Sequence, residues 1–219
     1  MITAKGNYLM DQQALWNNIH MEGKHSAFSR TPSEFAQEVA PSFPDHAKII
    51  ELGCGFGADA AFIAQQGCAV IATDLSEVAI ARNKQMYSAI PGLTFQVVDM
   101  SNGTLPFQTD GFDGVYARLS LHYYSDKVTK QLFQDIHRVL KIGGRLAFMC
   151  KTTNDPLYGK GTQLEEDMFD NEGHIRHFFS EDYARSLLVG YRIERLESQR
   201  KNLYGKLSSF IEVIAQKNQ

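Results

Sequence analysis

Lys48-Ile49-Ile50-Glu51-Leu52-Gly53-Cys54-Gly55-Phe56-Gly57 decides the fold. It reads as a short buried strand that runs into a glycine-rich turn, with a helix after it. Three glycines at alternate positions remove every Cβ from one face of the turn, so a ligand can lie against bare backbone. The following helix points its free N–H groups and positive dipole end at the same place. Glu51, at the end of the strand, adds a negative charge.

Outward from this stretch the chain alternates. Strands are expected at Lys48–Leu52, Ala69–Thr73, Leu93–Val98, Gly114–Ala117 and Arg145–Met149. Helices are expected over Ala58–Gln66, from a Ser76 cap to about Tyr87, and over Asp126–Leu140. The last carries Val128, Leu132, Phe133, Ile136, Val139 and Leu140 on one side and is expected to end at Gly143-Gly144. Such alternation implies a doubly wound parallel sheet with helices on both faces. Lys151–Phe179 lacks periodicity and reads as irregular and partly helical. Ser180 caps a helix over Glu181–Leu188, and Tyr191–Glu197 with Leu207–Ala215 read as an antiparallel hairpin at the sheet edge.

Before the first strand, Gln12–Ile19 reads as a short helix and Met21–Arg30 as a loop. Thr31-Pro32-Ser33-Glu34 then starts a helix that reaches about Val39, with Thr31 as its cap. The expectation is one domain over 1–219: a helical N-terminal lid (1–44), a ligand-binding core (45–150), and a substrate loop with the C-terminal hairpin (151–219).

The 219 residues suffice for one α/β domain, and the formal net charge of −3 gives no electrostatic case for nucleic acid or an anionic membrane. No apolar run approaches the roughly 20 residues of a membrane span, and the polar start lacks the apolar stretch of a signal peptide. Cys54, Cys68 and Cys150 are scattered, without a CxxC, and read as reduced thiols of a cytoplasmic protein.

The turn alone does not choose its ligand. Gly53, Gly55 and Ala58 also satisfy the loose dinucleotide pattern, and a tight turn without a ligand is the plainer alternative. The other strand ends add information. Asp74 follows Gly53 by 21 residues and can take ribose hydroxyls; Asp99 ends the third strand, where it can accept from an exocyclic amine. With Glu51 they put three carboxylates on one sheet edge. That suits a ligand with cationic character better than a pyrophosphate, which they would repel.

At this point the sequence resembles a known family. Glu51-Leu52-Gly53-Cys54-Gly55-Phe56-Gly57 is similar to the signature of class I S-adenosylmethionine-dependent methyltransferases. Ala72-Thr73-Asp74-Leu75-Ser76 and Val97-Val98-Asp99-Met100 resemble its second and third motifs. Phe112-Asp113-Gly114-Val115 resembles the entry to the fourth strand. Arg138-Val139-Leu140-Lys141-Ile142-Gly143-Gly144 resembles the element before the fifth, with Ile142 where proline is usual. The resemblance covers about residues 45–150. It implies a Rossmann-like, mostly parallel seven-stranded sheet with an antiparallel C-terminal hairpin. It also implies S-adenosylmethionine as cofactor and S-adenosylhomocysteine as product.

The preface, with Trp16 and Arg30-Thr31-Pro32-Ser33-Glu34, is similar to the small-molecule branch that includes thiopurine-type and tellurite-resistance-type enzymes. That likeness implies that Arg30 pairs with the methionine carboxylate and that Trp16 covers the sulfonium. For each, a packing or surface role is the alternative. The cofactor set implied is Trp16, Arg30, Glu51, Gly53, Cys54, Gly55, Gly57, Asp74, Leu75, Asp99, Met100 and Arg118.

Methyl transfer is a direct displacement and needs alignment, exclusion of water and, for a protonated acceptor, removal of a proton. The fourth-strand exit, Arg118-Leu119-Ser120-Leu121-His122-Tyr123-Tyr124, is the expected place. His122 is the candidate general base because an unperturbed imidazole titrates near neutral pH; packing against the next helix is the alternative. Tyr123, Tyr124, Tyr158, His174 and His177 are expected to wall an acceptor pocket, and no metal is expected, since neither HExxH nor Cys/His spacing occurs. A small-molecule acceptor is the leading expectation, for a monomer or homodimer. The fourth-strand exit lacks the Asn/Asp-Pro-Pro-aromatic turn of adenine-amine enzymes, and no Pro-Cys nucleophile is present, so a nucleic-acid methyltransferase stands second. A non-catalytic cofactor-binding module and a nicotinamide oxidoreductase are the remaining readings.

Overall fold

The computed structural model describes residues 4–23, 30–203 and 205–219, with side chains from residue 12 onward. Five parallel strands and a C-terminal antiparallel pair form one sheet in the order β3-β2-β1-β4-β5-β10-β9. These strands are β1 (Lys48–Leu52), β2 (Ala69–Asp74), β3 (Leu93–Val97), β4 (Phe112–Arg118), β5 (Leu140–Lys151), β9 (Tyr191–Leu203) and β10 (Lys206–Lys217). β10 runs antiparallel to both β5 and β9, as expected of the terminal hairpin. β1 lies between β2 and β4, parallel to both, so the strand order reverses at its carboxyl end. That is where open α/β sheets form a crevice, and the glycine turn sits there.

Each face of the sheet carries its own core. On one face Ile50, Leu52, Val115 and Ala117 meet Leu132, Phe133, Ile136 and Val139 of α5 (Asp126–Val139). On the other, Ile49, Val70 and Tyr116 meet Phe35 of α2 (Glu34–Val39) and Ile63 of α3 (Ala58–Gln65). The alternation along β1 sets this division, because side chains i and i+2 share a face. Glu51 consequently falls on the face covered by α2 and α3, opposite Tyr116 in the register with β4. α4 (Glu77–Met86) is capped by Ser76, whose hydroxyl accepts from Ala79 N, as the sequence suggested.

Several expectations need correction. The N-terminal helix α1 spans Ala4–Met21, well beyond Gln12–Ile19; the expected loop lies mostly in 24–29, outside the described residues. Ser33, not Thr31, caps α2 by accepting from Ala36 N at 3.0 Å. The paired glycines do not end α5. Leu140 already has extended backbone, and Gly143, at φ +76°, lies in a bulge of β5 between the pairs Phe112–Leu140 and Gly114–Arg145.

The largest difference is in 151–179. The segment holds a second, antiparallel sheet of β6 (Thr162–Glu165), β7 (Met168–Asn171) and β8 (His174–His177), in place of irregular and partly helical chain. α6 (Glu181–Ser186) follows, capped by Ser180.

Candidate active site

A cleft of about 1630 Å³ opens over the carboxyl ends of β1, β2 and β4, between α1, the small sheet and the tip of the C-terminal hairpin. Its floor is the glycine turn. Gly53 has φ +78°, and a Cβ there would lie 2.3 Å from Ser120 Cβ. Gly55 has φ +51°, but the nearest atom to its would-be Cβ is on His20, 3.8 Å away. Gly53 is therefore required by the protein's own packing, whereas Gly55 leaves open space above the turn. Gly57, at φ +78°, is the left-handed residue from which α3 starts.

Acids gather around this floor. Asp74 Oδ2 accepts from Gly55 N at 2.8 Å and Oδ1 from Ser76 N at 2.9 Å, leaving further lone pairs for hydroxyl donors. Glu51 is buried, and its Oε2 has no hydrogen-bond partner. Burial, with Asp59 and Asp74 nearby, raises its pKa well above the usual carboxylate range, against the opposing pull of Arg118. A cationic donor in the cleft would supply what this carboxylate lacks. Asp99 is exposed on the rim, its Oδ1 accepting from Ser101 N. Cys54, Leu75, Met100 and Arg118 line the cleft as well, and burial first, then Asp74, keeps the Cys54 thiol protonated.

α1 closes one side. Asn17 Oδ1 accepts from Ser76 Oγ at 2.7 Å, and Gln12 donates to Gly173 O at 3.0 Å. Trp16 faces the cleft and meets Tyr123 edge-on, with ring centroids 5.1 Å apart, and His174 at 6.1 Å. The start of α2 is fastened to α3 by a buried network. Asp59 accepts from Ser33 N (2.7 Å), Ser33 Oγ (2.8 Å) and Tyr116 Oη (2.7 Å).

At the exit of β4, His122, Tyr123 and Tyr124 line the cleft. Leu119 is left-handed (φ +57°) and turns the chain there; Ser120 Oγ donates to Leu52 O. His122 is 1% exposed, and neither ring nitrogen has a hydrogen-bond partner. Burial, then Arg176, Lys151 and His177, push its pKa well below 6.5. The premise of an unperturbed imidazole fails, because burial disfavours the charged ring.

Three sequence-derived assignments fall away from the cleft. Tyr158 donates to Asp167 Oδ1 at 2.7 Å and packs on Phe169 and Phe178. The His177 ring is buried against Phe179 and Tyr183, while its backbone N–H holds His122 O at 2.9 Å. Positions 174 and 177 lie three apart on one strand and must face opposite ways. Arg30 is exposed and outside the cleft lining, with its charge felt at Arg82 and Tyr87. Sequence reasoning missed His20, Lys151, Asp155 and Arg176, all of which line the cleft. The strand alternation of β8, had it been seen, would have paired Arg176 with His174.

Residues 49–144 match the family model described as "Methyltransferase domain". An uncharacterized methyltransferase of Synechocystis is 32% identical over 102 residues, 47% of this chain and 46% of that relative; the chain thus spans about half of that relative's length. A SAM-dependent methyltransferase structure from Methanosarcina mazei superposes with TM-score 0.71 at 22% identity, over 83% of this chain and 97% of that one. The 1,6-didemethyltoxoflavin-N1-methyltransferase of Burkholderia thailandensis, solved with 1,6-didemethyltoxoflavin and S-adenosylhomocysteine, superposes with TM-score 0.73 at 19% identity, over 100% and 92%. The core, with its glycine turn and acids at the strand ends, is thus similar to a methyltransferase domain, and its fold is that of solved S-adenosylmethionine-dependent methyltransferases.

Proposed function

We propose that this chain transfers the methyl group of S-adenosylmethionine to a small-molecule acceptor. The observation that carries the reading is Glu51: a buried carboxylate oxygen without a partner, beside a turn stripped of Cβ atoms, asks for a ligand with an ammonium group. Asp74 holds the ribose hydroxyls and Asp99 receives the adenine amine. Trp16 lies toward the sulfonium. Cys54, Leu75, Met100 and Arg118 complete the enclosure.

The cofactor supplies a methyl carbon on a positively charged sulfur. When bound, it would let an acceptor lone pair take that carbon as the carbon–sulfur pair returns to sulfur, with any acceptor proton passing to His122 or to solvent. The chain's part is to align and to exclude water. His122, within the acceptor wall, accepts a hydrogen bond from the acceptor and takes its proton only where that proton is already acidic. Tyr123, Tyr124 and His174 give that wall aromatic faces.

The small-molecule reading is supported by the cover that α1 and the small sheet make over the cleft. It is supported too by the Burkholderia enzyme, whose fold spans this whole chain and whose structure holds 1,6-didemethyltoxoflavin. The lid, core and hairpin act as one unit in a cytoplasmic enzyme. The test is methyl transfer from labelled cofactor to a panel of small thiols, amines, phenols and carboxylic acids, read by product mass. Labelled product from one chemical class supports the reading; tight cofactor binding with no transfer on any class leaves a binding module.

A further inference from the structure

Acids gather about the glycine turn of the cleft, with Arg118 beside Glu51. Glu51, Asp59, Asp74 and Asp99 line its glycine-turn side. Lys151, Lys160, Arg176, Lys201 and Lys206 also line the cleft, with Lys201 paired to Glu34 at 3.5 Å. Two further acids of the lining are already engaged. Asp155 Oδ2 accepts from Lys151 Nζ at 2.6 Å and from Ser209 N at 2.9 Å. Glu212 accepts from Arg195 at 3.2 Å and Gln199 at 3.0 Å.

Lys151 is itself paired with Asp155 and also donates to Ser208 Oγ at 3.2 Å, whereas Arg176 has no such partner among the described residues. β8 alternates, with Ile175 and His177 buried in the protein and His174 and Arg176 on the cleft. The bond from His177 N to His122 O fixes that strand beside the β4 exit. Arg176 Nε is buried and makes no hydrogen bond, and no ion pair to its guanidinium is found among the described residues. Beside it, His122 lines the same cleft fully buried, with both ring nitrogens unpartnered. Arg176, Lys151 and His122 line one cleft, and the strand that carries Arg176 is bonded to the His122 backbone through the next residue, His177. A guanidinium, an ammonium and an imidazole thus line one cleft from three separate elements. A buried guanidinium N–H without a partner is costly unless a ligand satisfies it, and the planar fork of which it is part matches an oxyanion.

We propose that the methyl acceptor is a small organic anion whose carboxylate or phosphate is gripped by Arg176, with Lys151 and His122 against it. This rests on the methyltransferase reading, since the anion is placed at its acceptor wall.

The experiment follows thermal unfolding and calorimetric binding with matched probes, with and without saturating S-adenosylhomocysteine. The probes are benzoate against methyl benzoate, phenyl phosphate against its neutral dimethyl ester, and inorganic phosphate. Expected is stabilisation by the carboxylate or the phosphate and not by its ester; whichever acts names the source of the charge. Arg176→Gln should weaken that anion about ten- to a hundredfold, and Arg176→Lys should keep part of it. Affinity for S-adenosylhomocysteine should stay unchanged in both variants. Equal binding of anions and esters, no stabilisation by any anion, or an Arg176→Gln protein with the same preference overturns the proposal. Anion selectivity without any binding of S-adenosylhomocysteine keeps the anion site and overturns the methyltransferase reading instead.

Discussion

The backbone N–H of Gly55 donates to Oδ2 of Asp74 across 2.8 Å, tying the glycine turn of β1 to the end of β2. One carboxylate thus shapes the floor of the cleft and offers its remaining lone pairs to a ligand. Asp74→Ala should weaken binding of S-adenosylhomocysteine by about 1–3 kcal/mol, the scale of a lost charged hydrogen bond. It should also lower stability, because Gly55 N and Ser76 N lose their acceptor. Calorimetry and urea unfolding read the two effects separately. Undiminished affinity would remove Asp74 from the ribose site.

Gly53 and Gly55 should fail in different ways when changed to alanine. Gly53→Ala drives a Cβ into Ser120, so the protein itself should be destabilised by about 1–3 kcal/mol or more. Gly55→Ala meets no protein atom closer than 3.8 Å and pays only the left-handed backbone cost, about 1–2 kcal/mol. Its larger loss should be in cofactor affinity. If both variants lose stability equally and neither loses affinity, the open face of the turn is not the binding floor.

Glu51 should give up a proton when the cofactor product binds. In the free protein its pKa stands well above 4.5, mainly through burial. An ammonium brought against it favours the carboxylate. Calorimetry in two buffers of different protonation enthalpy should therefore show proton release, and affinity should rise with pH above 4.5. The sign for stability is opposite. Between 4.5 and the raised value the folded protein holds a proton that the unfolded chain has lost, so stability falls as pH rises. Glu51→Gln should remove both trends, stabilising the free protein while weakening binding. Buffer-independent heats would contradict the assignment.

His20, His122 and His177 all have pKa values lowered from 6.5, each chiefly by burial. Below pH 6.5 the unfolded chain takes up protons that these folded sites refuse. Their contribution is complete above 6.5 and is lost as pH falls. His122→Gln should flatten part of that decline in the urea midpoint. A wild-type midpoint constant through the window would mean that the histidines are not held neutral.

The core was legible because each signal there is local: a glycine run after a buried strand, an acid at a strand end, serine caps at Ser76 and Ser180 that the structure retains. What was illegible depends on distant partners. β6–β8 are short and polar, and only their mutual pairing makes them strands. α1 lacks an apolar stripe of helical period and is held partly by Gln12 and Asn17 hydrogen bonds. Ser33 rather than Thr31 caps α2 because Asp59, 26 residues on, fixes it. Missing β8 as a strand also placed His174 and His177 together and hid Arg176.

Thermal unfolding with S-adenosylhomocysteine and, separately, with NAD tests the central claim most directly. Ligand at about 100 times its dissociation constant adds roughly 2.7 kcal/mol, which for a chain of this length is about 5–11 °C in midpoint. The account predicts a shift of that size with S-adenosylhomocysteine and none with NAD. A shift with NAD alone would contradict the cationic-ligand reading of Glu51, Asp74 and Asp99, and with it the proposed methyl transfer.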